Sequence, residues 1–201
     1  MSERIEMNEA YDARLLPILE RRSIRKYTDE PVSLEDIDRL LQAAMAAPSA
    51  SNRKPWEFVV VTDEDLLRRL RRRLIFGKHI APAAIVVCGN TRRAWPGPGR
   101  GFWIQDCSAA TQNILLAAVA LGLGTCWIGV HPVGPFIKAV KRILGLPRHI
   151  EPLGLIYVGH PAEQKPARTQ YDPSRIRWQR YGPADLGADD LDKGADGEAI
   201  E

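Results

Sequence analysis

Residues 21–63 read RRSIRKYTDEPVSLEDIDRLLQAAMAAPSASNRKPWEFVVVTD, and this stretch holds most of the information about the fold. It opens with four cations around one hydroxyl, namely Arg21, Arg22, Arg25 and Lys26 around Ser23. Guanidinium groups bind phosphate oxygens in pairs, and a serine hydroxyl can donate a further hydrogen bond. Because alternate side chains of an extended segment face the same way, the pattern is compatible with a phosphate clamp. Taken alone, the run fits a solvated basic turn, or an arginine patch paired with acids, at least as well.

A second polar segment, residues 47–56, reads APSASNRKPW. Its two prolines stiffen the chain, while Ser49, Ser51 and Asn52 place donors and acceptors at fixed positions. Such a loop suits a flat polar ring, although the same residues are common in an ordinary helix-to-strand connection. Taken together, the two segments make a bound phosphorylated cofactor the leading hypothesis.

Apolar periodicity and turn residues predict alternating helices and strands along the chain. Ser33 is a candidate N-cap with Asp36 in the capping-box position, and that helix should end near Pro48. Further helices are predicted at 11–20, 63–74, 105–121 and 133–144, and strands at 56–61, 83–88, 125–130 and 151–159. The strand at 83–88 is apolar throughout, which favours a central position. The irregular rhythm, without a GxGxxG or P-loop motif, favours an α+β fold with a mixed central sheet flanked by helices.

Length and charge predict one domain followed by a tail. The chain has 201 residues and a formal net charge of +3, too small by itself to imply nucleic acid. Residues 184–201 contain seven acids, one lysine and no aromatic residue. Such a segment cannot bury enough apolar surface to fold alone. We therefore expect a single domain over residues 1–183 and a disordered acidic tail over residues 184–201.

The three cysteines are scattered among apolar neighbours, which predicts buried free thiols in a reducing compartment. No CxxC occurs, and the four histidines match no metal-binding spacing, so we expect no metal site. No apolar run approaches the roughly 20 residues that span a bilayer. These patterns predict a cytoplasmic protein with no membrane and no nucleic-acid partner.

Three stretches together resemble the FMN-dependent nitroreductase superfamily. Residues 21–63 are similar to its RRS-x-R segment, the acidic-apolar helix that follows, and its PS-x-x-N-x-x-PW loop. Residues 106–129, DCSAATQNILLAAVALGLGTCWIG, resemble its long interface helix and glycine-terminated strand. Residues 153–178, LGLIYVGHPAEQKPARTQYDPSRIRW, resemble its last core strand and C-terminal arm. The resemblance implies the nitroreductase fold in an obligate, intertwined homodimer, with two FMN molecules at the subunit interface.

The resemblance also implies which residues bind FMN. The first segment would hold the phosphate and ring edge, the loop would reach FMN from the partner subunit, and the strand end would place backbone groups near the reactive flavin nitrogen. The matching residues are Arg21, Arg22, Ser23, Arg25, Pro48, Ser49, Ala50, Asn52, Ile128, Gly129 and Arg168, with Lys165 as the alternative to Arg168.

By resemblance, the protein is an oxidoreductase in which NAD(P)H delivers a hydride to FMN. A nitroaromatic, quinone or similar small acceptor then takes the electrons in a ping-pong sequence. No protein acid or base is required, so no catalytic residue is assigned. Arg25 is the candidate to stabilise the negative charge that reduction places on the flavin.

Two departures from the family pattern leave other functions open. Residues 74–79, LIFGKH, lack the asparagine and lysine of several members, and Ile128 stands where many members have an acid. A specialised flavoprotein of the same fold, such as a dehalogenase, a flavin-fragmenting enzyme or an azoline-oxidising enzyme, is the first alternative. A non-enzymatic protein that binds flavin, or nucleic acid through residues 21–25 and 68–73, is the second.

Three aromatic residues, Trp95, Phe102 and Trp103, flank a Gly/Pro-rich loop and suit either the lining of an apolar cleft or packing in the core.

Overall fold

Four antiparallel strands form a sheet in the computed structural model, which describes residues 12–181. The strands are β1 (Trp56–Val61), β2 (Ala83–Asn90), β3 (Gly124–Gly129) and β4 (Ile150–Gly159). Their order across the sheet is β1-β2-β4-β3, and every neighbouring pair is antiparallel. Every residue of β2 is buried, which confirms the central position predicted from its apolar sequence.

Five α-helices accompany the sheet within residues 12–181. They are α1 (Leu16–Glu20), α2 (Leu34–Met45), α3 (Glu64–Arg73), α4 (Trp103–Ala120) and α5 (Gly134–Leu144). Side-chain caps begin two of them: the Ser33 hydroxyl accepts a hydrogen bond from the Asp36 N–H at 3.0 Å, and the Asp63 carboxylate accepts one from the Leu66 N–H at 2.8 Å. Gly145 ends α5 with a left-handed φ of 66°.

The first predicted helix is shorter than expected. A 3-10 turn covers Ala13–Leu15, and the α-helix begins only at Leu16. Pro17 lies in the first turn of that helix. Since proline has no amide hydrogen and crowds the preceding turn, a continuous α-helix through this position is disfavoured. Tyr11, the predicted first residue, lies outside the described part of the chain.

The two faces of the sheet are covered by different helices. Ile85 and Val87 of β2 pack with α2 and α4 in one core, whereas Val86 and Cys88 pack with α3 and α5 in the other. This division follows from the alternation of side chains along a strand. The predicted helix-flanked sheet is therefore observed, with both faces covered. Among the described residues it is not mixed as predicted, because its four strands pair only in the antiparallel sense, and the parallel bridge between Ser23 and Thr125 lies outside these strands.

The clamp segment, residues 21–28, runs beside the outer edge of β3. Ser23 forms a parallel bridge with Thr125, and the Ile24 N–H donates to the Thr125 carbonyl at 2.9 Å. Gly124 permits this approach, because a Cβ there would lie 2.8 Å from Ile24 Cγ2. The segment thus extends the sheet by a short run of backbone pairing.

The aromatic residues near the Gly97–Phe102 3-10 turn divide between core and surface. Trp103 is only 6% exposed and covers Gly89, where a Cβ would lie 2.2 Å from Trp103 Cε3. Trp95 and Phe102 are partly exposed and pack against each other, with ring centroids 5.8 Å apart. Trp103 is therefore a core residue.

All three cysteines are buried and free, as predicted. Burial raises the pKa of the Cys88 thiol to about 12, so the thiol stays protonated at neutral pH. No helix within residues 12–181 combines the length and the apolar character that crossing a membrane requires.

The described chain divides into two compact units, residues 12–167 and residues 168–181. The smaller unit contains a 3-10 turn at Pro173–Arg175, and its Arg177 guanidinium lies 5.4 Å from the centre of the Tyr181 ring. The predicted acidic tail, residues 184–201, lies outside the described residues. The predicted boundary at residue 183 therefore stays a prediction.

Candidate functional site

A cleft of about 300 Å³ is lined by the clamp segment, β3 and α4. Its volume is at the lower end of the range for small-molecule sites. The lining residues are Arg21, Ser23, Gln112, Leu115, Thr125, Trp127 and Gly129. Alternate residues of β3 face this cleft, whereas Cys126 and Ile128 between them belong to the core on the other side of the sheet. Ile128 can therefore contribute to the cleft through its backbone and not through its side chain.

Gly129 leaves the backbone open at the wall of the cleft. A Cβ placed on Gly129 would meet no protein atom within 4 Å. The glycines at 124 and 154 differ, since a Cβ there would lie 2.8 Å from Ile24 Cγ2 and 2.2 Å from Trp127 Nε1. Protein packing explains those two glycines but does not explain Gly129. An open glycine in a cleft wall allows a flat ligand to approach the backbone closely.

The predicted clamp residues divide between the cleft and its surroundings. Arg21 and Ser23 line the cleft. Arg22 directs its guanidinium to the Pro166 carbonyl, which suits the variable place it holds in the motif. Arg25 is exposed, and its Nη1 lies 3.5 Å from the Ser23 carbonyl oxygen, at the limit of a hydrogen bond.

The predicted basic arm residue has two candidates, and they lie in different units. Lys165 belongs to the larger unit and donates from Nζ to the Ser23 carbonyl at 2.5 Å. It is therefore in direct contact with the clamp segment. Arg168 belongs to the smaller unit, so its role in binding stays a prediction.

The loop that contains Pro48, Ser49, Ala50 and Asn52 does not line the cleft of its own chain. The Ala50 N–H donates to Asp106 Oδ1 on α4 at 2.8 Å. Ser51 and Asn52 have left-handed φ values of 48° and 53°, a conformation that costs free energy for residues with side chains. The loop is thus held in a defined shape, outside the cleft of its own chain.

Asp106 is the anchor of this loop. It is 5% exposed, and its Oδ2 has no hydrogen-bond partner among the described residues.

We expect Asp106→Ala to lower the free energy of unfolding by about 1–3 kcal/mol, because the Ala50 N–H would lose its acceptor. Asp106→Asn keeps an oxygen at this position and should cost less. Denaturant unfolding of both variants checks this. Equal losses of unfolding free energy would show that the hydrogen bond from the Ala50 N–H to Asp106 does not account for the loss of stability.

Residues 74–79, which departed from the family pattern, pack against the buried side of β3. A Cβ on Gly77 would lie 3.1 Å from Ile128 Cγ1, and the Tyr157 hydroxyl donates to the Gly77 carbonyl at 2.7 Å. Burial lowers the pKa of His79, and the positive charge of Arg25 lowers it further. His79 is therefore neutral at pH 7, close enough to Arg25 to respond to its charge.

Sequence reasoning missed Gln112, Leu115, Thr125 and Trp127 as cleft residues. Two of them could have been predicted. Alternate residues of a strand face the same side, so Trp127 and Thr125 should face the same side as the predicted site residue Gly129. Gln112 and Leu115 are three residues apart on one helix face, but nothing local indicates that this face meets the cleft.

The cleft lining contains one cation and no acid or histidine. Within residues 12–181, no cluster of histidine, cysteine or acidic side chains could hold a metal ion. The arrangement therefore suits an anionic, largely planar ligand: a guanidinium and hydroxyls at one end, apolar side chains along the wall, and an open stretch of backbone at Gly129.

Comparisons with known proteins all point to one family. The sequence profile of the Nitroreductase family matches residues 18–76 and 75–160. A protein of Archaeoglobus fulgidus, provisionally named NADH dehydrogenase/NAD(P)H nitroreductase, is 42% identical over 170 residues, covering 82% of this chain and 96% of its own. A Parabacteroides distasonis structure with a similar provisional name gives a TM-score of 0.80 at 42% identity, over 85% of this chain and all of that one. An FMN-dependent nitroreductase of Clostridium difficile gives 0.75 at 32% identity, over 82% and 98%.

The chain therefore belongs to the nitroreductase family. The predicted family, the predicted α+β fold and the predicted oxidoreductase class are confirmed. The cofactors predicted from the resemblance, FMN and NAD(P)H, are those in the names of relatives. The individual site residues and the homodimer stay predictions.

Proposed function

We propose that the protein is an FMN-dependent oxidoreductase that takes electrons from NADH or NADPH and passes them to a small acceptor such as a nitroaromatic or a quinone. The names of its relatives support this class. In this chain itself, the observation that supports the proposal is the open backbone at Gly129, in a cleft that is also lined by Arg21 and Ser23. An open stretch of backbone suits a flat flavin ring, and a guanidinium near a serine hydroxyl suits a phosphate.

The residues of the cleft are of the kinds that suit FMN. Arg21 and the Ser23 hydroxyl would hold the phosphate, since both are donors suited to an anion. Gly129 would leave its backbone open to the ring, and Leu115 and Trp127 would provide apolar contact and exclude water. When bound, FMN supplies the hydride and electron chemistry. The chain's own residues bind, orient and shield it, and the lining contains no side chain suited to general acid–base catalysis.

A homodimer is part of this proposal. The loop that contains Ser49 and Asn52 lies outside the cleft of its own chain, as expected for residues that reach a cofactor held by a second copy. Large apolar side chains on α1 and α2 also remain exposed, including Ile18 at 53% and Met45 at 54%. Such exposure is typical of a surface that a partner covers. Light scattering should give a mass twice that of the chain.

An absorption spectrum of the purified protein, repeated after anaerobic addition of NADH or NADPH, tests the proposal directly. A flavin spectrum that bleaches with either nicotinamide supports the reductase. A flavin spectrum that does not bleach contradicts NAD(P)H as the donor and favours a specialised flavoprotein. A colourless protein that takes up no added FMN overturns the proposal.

Arg25 is the residue we expect to affect the rate of flavin reduction. Its guanidinium Nη1 lies 3.5 Å from the carbonyl oxygen of Ser23, a cleft residue, and a positive charge near the ring would stabilise the negative charge that reduction creates. Because Arg25 is exposed, solvent screens its charge, and Arg25→Ala should slow reduction by NADH only about tenfold. Stopped-flow absorbance measures this rate. Arg25→Lys should restore part of it, and unchanged FMN affinity together with an unchanged rate in Arg25→Ala would rule out the assignment.

A further inference from the structure

Glu163 is an acidic residue that contacts the clamp segment from outside it. Its Oε1 accepts a hydrogen bond from the Arg25 N–H at 2.5 Å and lies 3.0 Å from Lys165 Nζ. The hydrogen bond from the Arg25 N–H, followed by that from Lys165, holds the pKa of Glu163 below its ordinary value. The carboxylate is therefore ionised at neutral pH and sits among cations.

Glu163 and Ser23 together fix the position of Lys165. The Lys165 ammonium donates to the Ser23 carbonyl at 2.5 Å, and its Nζ forms an ion pair with Glu163 Oε1 at 3.0 Å. The Lys165 and Glu163 side chains are only 22% and 20% exposed, so the contact is sheltered from solvent. Ser23 itself lines the cleft. The chain of contacts therefore runs from Glu163 through Lys165 to a cleft residue.

Backbone contacts on both sides of Glu163 reinforce this connection. The Ala162 N–H donates to the Lys26 carbonyl at 2.9 Å, and the Arg22 guanidinium donates to the Pro166 carbonyl. Residues 162–166 are thus fastened to residues 22–26 at several points, with Glu163 as the acidic side chain among them. A clamp whose donors are already in place loses less entropy when it binds an anion.

We propose that Glu163 is a positioning residue that strengthens anion binding in the cleft, although its own charge is negative. It holds Lys165 and the Arg25 backbone so that the Ser23 region is fixed before the cofactor phosphate arrives. This inference rests on the proposed function, because it takes FMN as the anion.

The direction in which FMN affinity changes when Glu163 is removed distinguishes a positioning role from simple charge repulsion. If Glu163 acted only through its charge, removing it would tighten the binding of an anion. If Glu163 acts by positioning, Glu163→Ala should weaken FMN binding about tenfold, as pre-organisation is lost. Glu163→Gln, which keeps an oxygen acceptor and loses the charge, should fall between Glu163→Ala and the unmodified protein.

The experiment is a titration of FMN into protein freed of flavin, followed by flavin fluorescence. Glu151→Ala is the matched control, because Glu151 pairs with Lys141 at 2.6 Å with similar side-chain exposures of 27% and 20% and does not line the cleft. This control should bind FMN like the unmodified protein. Lys165→Met combined with Glu163→Ala should cost less than the sum of the two single losses, because the two residues act together.

The outcomes distinguish this inference from the proposed function. Weaker binding in Glu163→Ala, normal binding in Glu151→Ala and a non-additive double variant support the positioning role. Equal or tighter binding in Glu163→Ala overturns it and leaves the proposed function standing. An unmodified protein that takes up no FMN overturns both. Melting temperatures of the variants show whether any loss of binding comes from unfolding.

Discussion

Arg21→Ala should bind FMN roughly ten- to hundredfold more weakly than the unmodified protein. Arg21 lines the cleft beside Ser23, and its guanidinium is the one charged group in that lining. A hydrogen bond to a charged group contributes about 1.5–3 kcal/mol, and each 1.4 kcal/mol corresponds to about a factor of ten in affinity. Fluorescence titration of the flavin-free protein measures the change.

Riboflavin, which lacks the phosphate, shows where Arg21 acts. If Arg21 binds the phosphate, Arg21→Ala should lose FMN affinity and keep the weaker riboflavin affinity. An equal loss for both ligands would instead place Arg21 against the ring. Arg72→Ala, which removes an exposed arginine on α3, is the control for net charge and should leave both affinities unchanged. Unchanged FMN affinity in Arg21→Ala would refute the clamp.

Gly129→Val should also lower FMN affinity by roughly ten- to hundredfold, through steric exclusion. The valine side chain would occupy the open space at Gly129 that we assign to the ring, and forcing atoms into an occupied site costs about 1–3 kcal/mol. No protein atom lies within 4 Å of the added Cβ, so the free energy of unfolding should change by only about 0.5 kcal/mol.

Gly154→Ala is the comparison for stability, since it should destabilise the protein far more than Gly129→Val does. Its Cβ would lie 2.2 Å from Trp127 Nε1 and 2.9 Å from the Ile128 carbonyl oxygen, so the protein must shift to accept it. We expect a loss of stability of about 1–3 kcal/mol in denaturant unfolding. If Gly129→Val proved as destabilising as Gly154→Ala, the space at Gly129 would be needed by the protein and not by a ligand.

Local patterns were sufficient to predict most elements of the fold. The apolar run at 83–88 indicated a central strand because it lacks a polar face, and all of β2 is buried. Ser33 indicated a helix start because its side chain can satisfy a free amide group, and its hydroxyl does accept from the Asp36 N–H. The predicted helix at 105–121 begins instead at Trp103, since the 3-10 turn before it runs directly into α4.

The arrangement of the cleft could not be predicted in the same way. Arg21 and Ser23 were found from their chemistry, and both line the cleft. Gln112 reaches it only because α4 packs across β3, and Glu163 meets the Arg25 N–H only because residues 162–166 return beside the clamp. Such contacts join residues far apart in the chain. No local propensity encodes them.

The position of the clamp segment along the edge of β3 also bears on solubility. An unpaired strand edge presents free amide and carbonyl groups to other molecules and promotes aggregation. The bridge between Ser23 and Thr125, together with the Ile24 N–H bond to the Thr125 carbonyl, occupies part of that edge. The residues proposed to hold the cofactor therefore also shield the sheet from other chains. Substitutions that displace this segment from β3 should therefore lower the solubility of the protein as well as its affinity for the cofactor.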